Sequence, residues 1–254
     1  MYMRLVQMNV DPEHSAPVQE YYDKTVIPAL RTVPGCLFAS LVMKEGRTGE
    51  CLSLTLWNSI EEAERYSNSD VFAKFREQLR PMLSQATEWK MQLSKDLTLE
   101  YVPVEEEPVI KSYAVDSEPE NVSTKGTFSK QLYIRIVAPK IRPGMAEEYK
   151  RIYLKTVLPA LKQVKGCLYA YLTEGTGNPD EILSVTIWDG QASAEEYEST
   201  GQFHTLMSLV SSTFTDLYQW KMGLERNESK RVATTDDAAV GHYQVISAES
   251  FSRR

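Results

Sequence analysis

Four pairs of side chains recur in this sequence at one fixed separation, and all are of types that can hold or protonate a small molecule. Arg4 and Arg135, Tyr22 and Tyr153, Trp57 and Trp188, and Tyr66 and Tyr197 each stand 131 residues apart. An arginine in an otherwise apolar strand can clamp a carboxylate or enolate oxygen through parallel N–H bonds. Tyrosines on covering helices would supply a proton donor beside a flat substrate, and tryptophans an aromatic wall. His204 has no counterpart, because Ala73 stands at the matching place; its imidazole suits a general base. The expected site therefore has Arg4, Arg135, Trp57, Trp188, Tyr22 and Tyr153 binding a substrate, with His204, Tyr66 and Tyr197 catalytic. Each also has a plainer use. The tryptophans suit packing anchors, the tyrosines suit core aromatics whose hydroxyls reach water, and the arginines suit ion pairs or snorkelling edge residues. His204 equally suits an exposed helix position.

Other chemistry finds less support. The sequence has no H-x-H, HExxH or Cys/His cluster, so neither a metal nor another cofactor is expected. It has no P-loop, no GxGxxG between strand and helix, and no GxSxG elbow. Cys36, Cys51 and Cys167 form no CxxC and leave an odd thiol, which suits buried thiols in a reducing cytoplasm. A net charge of -7 and a pI near 5.2 argue against a nucleic-acid partner. The opening MYMRLVQMNV lacks the pattern of a secretory signal. No run approaches the roughly 18 apolar residues of a membrane span. With 42% hydrophobic and 25% charged residues, a soluble globular protein is the expectation, and the cysteine usage places it in the cytoplasm.

The elements that must position these residues are written twice. KTVIPALRTVPGCL (24–37) returns as KTVLPALKQVKGCL (155–168), LSLTLW (52–57) as LSVTIW (183–188), and WKMQL (89–93) as WKMGL (220–224). One offset holds across all these blocks, which is the mark of a duplicated domain. Each copy reads as β-α-β-β-α-β. A first strand leads to a helix from Ser15, a candidate N-cap, with Pro17 in its first turn. Pro28 and Pro159 are expected to break the helices, with Thr25 or Thr156 as a local cap. Gly35 and Gly166 end them. A hairpin follows, turning on KEGRTGE or EGTGNPDE. Ser59-x-x-Glu62 and Ser193-x-x-Glu196 are capping-box candidates, and interruptions fall at SNSD (67–70) and near Gly201. EWKMQLS and QWKMGLE are the expected last strands, with Lys90 and Lys221 as further basic groups.

The third strand is apolar or amphipathic on both faces. Leu52, Leu54 and Leu56 point one way, and Ser53, Thr55 and Trp57 the other. One copy alone would expose a large apolar face. Two copies can press those faces together, which explains the duplication. The expected division is a first domain at 1–95, a linker with an extra strand at 96–131, a second domain at 132–226 and a C-terminal arm at 227–254. VIKSYAV (109–115) and GHYQVISA (241–248) are candidate strands reaching over the neighbouring copy.

The passages VPGCLFASLV, SLTLW with its following S-E-A-Y, and SDVF resemble the antibiotic biosynthesis monooxygenase (ABM) domain of the dimeric α+β-barrel superfamily. The resemblance spans both copies. It implies an α+β fold: two tandem ferredoxin-like domains packed sheet to sheet as an intramolecular α+β barrel. This pseudo-dimer leaves room for a further homo-oligomer. The resemblance also implies a cofactor-independent monooxygenase acting on a small aromatic or quinol-like substrate, or a non-catalytic binding or structural module of the same fold. In the haem-degrading branch the tryptophan position corresponds to Tyr66 and Tyr197, and the haem-ligating histidine position to Arg76 and Met207, which argues against haem degradation here. Against the anthrone-type oxygenases, Trp57 and Trp188 match, while Ser53, Ala63, Ser184 and Ala194 replace the companion asparagine and tyrosine.

Overall fold

The computed structural model describes residues 1–46, 49–84, 89–93, 99–103, 109–115, 132–214 and 238–250. The first copy runs β1 (Tyr2–Asn9), α1 (Ser15–Tyr21), α2 (Ile27–Thr32), β2 (Cys36–Lys44), β3 (Glu50–Trp57), α3 (Ile60–Ser67) and α4 (Asp70–Leu79). β4 (Trp89–Leu93), β5 (Leu99–Pro103) and β6 (Val109–Val115) follow. The second copy repeats the plan with β7 (Tyr133–Pro139), α5 (Ala146–Ile152), α6 (Leu158–Leu161), β8 (Cys167–Gly175), β9 (Ile182–Trp188), α7 (Gln191–Ser199) and α8 (Gln202–Val210), closing on β10 (Ala238–Ser250).

Eight strands form one closed barrel in the order β1-β3-β2-β10-β7-β9-β8-β6. Tyr2 stands opposite Trp57 in the first half and Tyr133 opposite Trp188 in the second, so the duplication preserves register as well as sequence. β6 pairs with β1 of its own copy and β8 of the other, and β10 pairs with β7 of its own copy and β2 of the other. These two strands are the staves that join the halves. Closure of this kind removes the unpaired edges that an open sheet presents. The period-two alternation of β3 then has a direct outcome. Leu52, Leu54 and Leu56 meet Met3, Leu5, Ile134, Ile136, Val185 and Ile187 inside the barrel, while Cys51 and Trp57 join the outer helix-covered core. A second outer core covers the other half.

Five expectations need correction first, the last being the Ser193 cap. WKMQL is not the fourth strand of the first sheet. β4 pairs with β5 as a separate two-stranded sheet, and the stave is β6. Pairing between segments so near in sequence has a low closure entropy, and it leaves β1's edge for 109–115. WKMGL (220–224) lies outside the described residues. Nor do Pro28 and Pro159 break their helices. π-helical turns at Tyr22–Val26 and Tyr153–Val157 precede them, with helical backbone on both sides. The wider ladder takes up the missing N–H and the ring that would clash in a regular α-helix. Thr25 and Thr156 make no cap, and Ser15 lies inside α1 rather than capping it. Last, Ser193 sits within α7, which begins after Gly190 with no side-chain cap.

Ser59 does cap α3, its hydroxyl accepting from Glu62 N–H at 3.3 Å. Ser59→Ala is expected to cost about 1 kcal/mol in urea unfolding, whereas Gly190→Ala removes no such bond. Gly35 and Gly166, expected to end the helices, instead stand in the turns into β2 and β8 at φ 80° and 83°, because α2 already ends at its C-cap Val33 and α6 at Lys162. A Cβ at Gly35 would fall on the Glu62 carboxylate, and one at Gly166 on the Ser193 side chain.

Candidate functional site

Between each sheet and its helices lies a cleft, and the repeat places the same residue types in both. The first is lined by Arg4, Tyr22, Ser53, Thr55, Tyr66 and Phe72, with Arg76 and apolar neighbours. The second is lined by Arg135, Tyr153, Ser184, Thr186, Tyr197 and Phe203, with Met207 at the place of Arg76. Their outer reaches open to solvent, and with that open space included the clefts span about 520 and 350 Å³ respectively. The cavities at their bases measure only about 40 and 20 Å³. That is room for a few waters in one and about one in the other, so a ring-sized ligand enters only if the covering helices shift.

The strand pleat puts Arg4 and Arg135 on the helix-covered face, and both are 2% exposed. Each guanidinium lies over aromatic rings: Arg4 is 4.3 Å from Phe72 and 5.6 Å from Tyr66, and Arg135 is 4.0 Å from Phe203 and 5.7 Å from Tyr197. Cation–π contacts of this kind strengthen once desolvated. Behind the tyrosines stand the tryptophans. Trp57 stacks on Tyr66 with centroids 5.1 Å apart, and Trp188 meets Tyr197 at 5.0 Å. Their indole N–H groups donate to Thr55 and Thr186 at 2.9 and 2.8 Å. The π-helical turns bring Tyr22 to hydrogen-bond Ser53 at 2.6 Å and Tyr153 to hydrogen-bond Ser184 at 2.5 Å.

Burial sets the protonation states. It pushes the Tyr153 hydroxyl up to about 12, and raises Tyr22, Tyr66 and Tyr197 still further, against the pull of the nearby arginines. These tyrosines are therefore proton donors rather than bases near neutral pH. Burial also lowers Arg4, and the like charge of Arg76 adds to this, yet a guanidinium stays charged. Cys51 and Cys167 are raised to about 11 and about 12 by burial, so neither offers a thiolate nucleophile. Among the described residues no three His, Cys, Asp or Glu side chains gather to hold a metal, and no helix is long and apolar enough to cross a membrane.

Of the residues expected from sequence, Arg4, Arg135, Tyr22, Tyr153, Tyr66 and Tyr197 line the clefts, and Trp57 and Trp188 sit behind them rather than in the lining. His204 is exposed on α8 and lines neither cleft, because its position on the helix turns outward while Phe203, Leu206 and Met207 face in. Sequence reasoning did not single out Phe72 and Phe203, though their 131-residue spacing is the same signal that marks the arginines. It also missed Glu198, whose carboxylate accepts from Arg135 Nε. No repeat signal marks it, since Ser67 stands at the matching position.

A doubled β-α-β-β-α-β unit closing one barrel, with a cleft under each pair of helices, defines the α+β-barrel class of proteins. A family model described as antibiotic biosynthesis monooxygenase matches residues 1–78 and again 132–208, and the chain belongs to that family. A candidate monooxygenase from Lactobacillus acidophilus superposes with a TM-score of 0.64 at 6% identity, covering 98% of this chain and 95% of its own. One from Fusobacterium nucleatum gives 0.61 at 11% identity, covering 98% and 94%. An anthrone oxidase-like protein gives 0.59 at 14% identity, covering 100% and 94%. At these identities the likeness is one of fold. No curated protein sequence matches the chain significantly.

Proposed function

We propose that the chain binds a small, flat, quinol-like aromatic molecule under its helices and oxidises it with molecular oxygen. The observation that carries this is the buried arginine set against an aromatic wall and a protonated tyrosine. Arg4 or Arg135 stabilises the phenolate or enolate form of the ligand, and such an electron-rich ring yields an electron to oxygen far more readily than the neutral one. Tyr66 or Tyr197 donates a proton to the reduced oxygen. In a balanced turnover one oxygen atom replaces two hydrogens as a carbonyl, and the other leaves as water. His204, on the exposed face of α8, takes no step in this scheme. Membership of the antibiotic biosynthesis monooxygenase family supports the reaction class and leaves the substrate open.

Oxygen uptake with a panel of quinols and anthrones tests this reading. Uptake above buffer is expected with at least one of them, falling on the order of 10²–10³-fold in Arg4→Met/Arg135→Met, the scale of removing a preorganised charge stabiliser. Folding should survive, because Met keeps most of the apolar volume and Glu198, left without Arg135, is 31% exposed to water. The narrowness of both clefts favours a second reading, a binding module without turnover. Saturable binding of the same compounds with no oxygen consumed would establish it in place of the first.

A further inference from the structure

The duplication copies the cleft but not its charge. No acidic residue lines either cleft, and in the first half Arg4 Nε and Nη2 are buried and make no hydrogen bond. Arg76 adds a second guanidinium towards solvent, where it is exposed. In the second half Arg135 Nε donates to Glu198, which lies near the end of α7 at 31% side-chain exposure, and Nη2 is buried without a partner. Arg76 is replaced there by Met207. The residue matching Glu198 is Ser67, whose hydroxyl turns back to the Ala63 carbonyl at 2.9 Å. Arg4 is thus a buried cation without a counter-ion, whereas Arg135 has one in Glu198. Burying an unpaired charge is costly, and a fold retains it at low cost only where an anion arrives to pair with it.

We infer that the first half alone is an anion-binding cleft, taking the carboxylate or phenolate of a flat aromatic molecule onto Arg4, and that Glu198 occupies the equivalent place in the second half. The ring of such a ligand lies along Tyr66 and Phe72 while its anionic oxygens meet Arg4 Nε and Nη2 as a fork. The second cleft admits neutral molecules or none. This inference rests on the small-molecule reading above and narrows it to Arg4 and Tyr66, giving it a charge class and an address.

The test uses the full chain with salicylate and its neutral counterpart salicylamide, followed by titration calorimetry. Wild type is expected to bind one salicylate per chain. Ser67→Glu, which writes the second half's acid into the first, should weaken salicylate about tenfold or more and leave salicylamide unchanged. Glu198→Ser should raise the stoichiometry to two per chain. This variant carries the test by itself if Ser67→Glu perturbs folding, which thermal melting will show. Two equivalent salicylate sites in wild type would overturn the inference, as would a Ser67→Glu protein that binds like wild type. Salicylamide binding with no preference for the anion overturns the inference and leaves the cleft reading standing. Absence of saturable binding by either compound removes both.

Discussion

Deleting residues 238–254 is expected to cost the chain its cooperative fold or drive it into self-association. β10 pairs with β7 through Ala238–Gln244 and with β2 through Tyr243–Ser250, so its two ends tie the two halves together. Its removal opens the barrel at the junction of the halves. Two sheet edges then lie bare, and the interior cluster of Met3, Leu54, Ile134 and Val185 gains a route to water. Exposed edges and apolar faces pair with whatever offers the same. The expected loss is comparable to the whole ~5–15 kcal/mol of a domain's stability. Light scattering coupled to size exclusion, compared with the full chain, reads it directly. A truncated protein with the full chain's mass and melting temperature would show that the barrel does not need this stave. The same physics predicts that either copy expressed alone associates with itself.

Trp57→Ala and Trp188→Ala are expected to cost about 3–5 kcal/mol each, measured by urea unfolding. Both indoles are fully buried at the end of a barrel strand, and each is stacked on a tyrosine that in turn lies beside an arginine. Alanine leaves a void behind the tyrosine and removes the N–H donor to Thr55 or Thr186 Oγ1, which keeps only its bond to the Arg4 or Arg135 carbonyl. Trp57→Phe refills most of that volume and should lose about 1–2 kcal/mol, the hydrogen bond and part of the packing. Because the tryptophans stand behind the lining rather than in it, Trp57→Phe should bind salicylate nearly as wild type does. A binding defect as large as that of Arg4→Met would place the indole in contact with the ligand instead.

The duplication, the element order and the two-faced strands were legible in the residues because they depend on short-range patterns. Alternation at i, i+2 sends Leu52, Leu54 and Leu56 to one face whatever the partner strand is. A fixed 131-residue offset makes Arg4 and Arg135, or Tyr66 and Tyr197, identify each other. The interruptions at SNSD and Gly201 fall between α3 and α4 and between α7 and α8, as written. The candidate site was legible to the same depth, as residue types on the helix-covered face.

Choices between competing partners were settled only in three dimensions. WKMQL and VIKSYAV both read as strands, and nothing local says which one reaches β1; the first found a nearby mate in β5 and the second became the stave. His204 looked like a base because a unique histidine stands out in a repeat, but the turn of α8 places it outward. The contact between Glu198 and Arg135 joins residues 63 positions apart, and the first half lacks it through a single exchange of acid for serine. Periodicity is a property of neighbours in the chain, and it determined which face each side chain takes. Pairing, cleft shape and the state of a buried charge are properties of neighbours in space, which is why one arginine has its counter-ion and its twin does not.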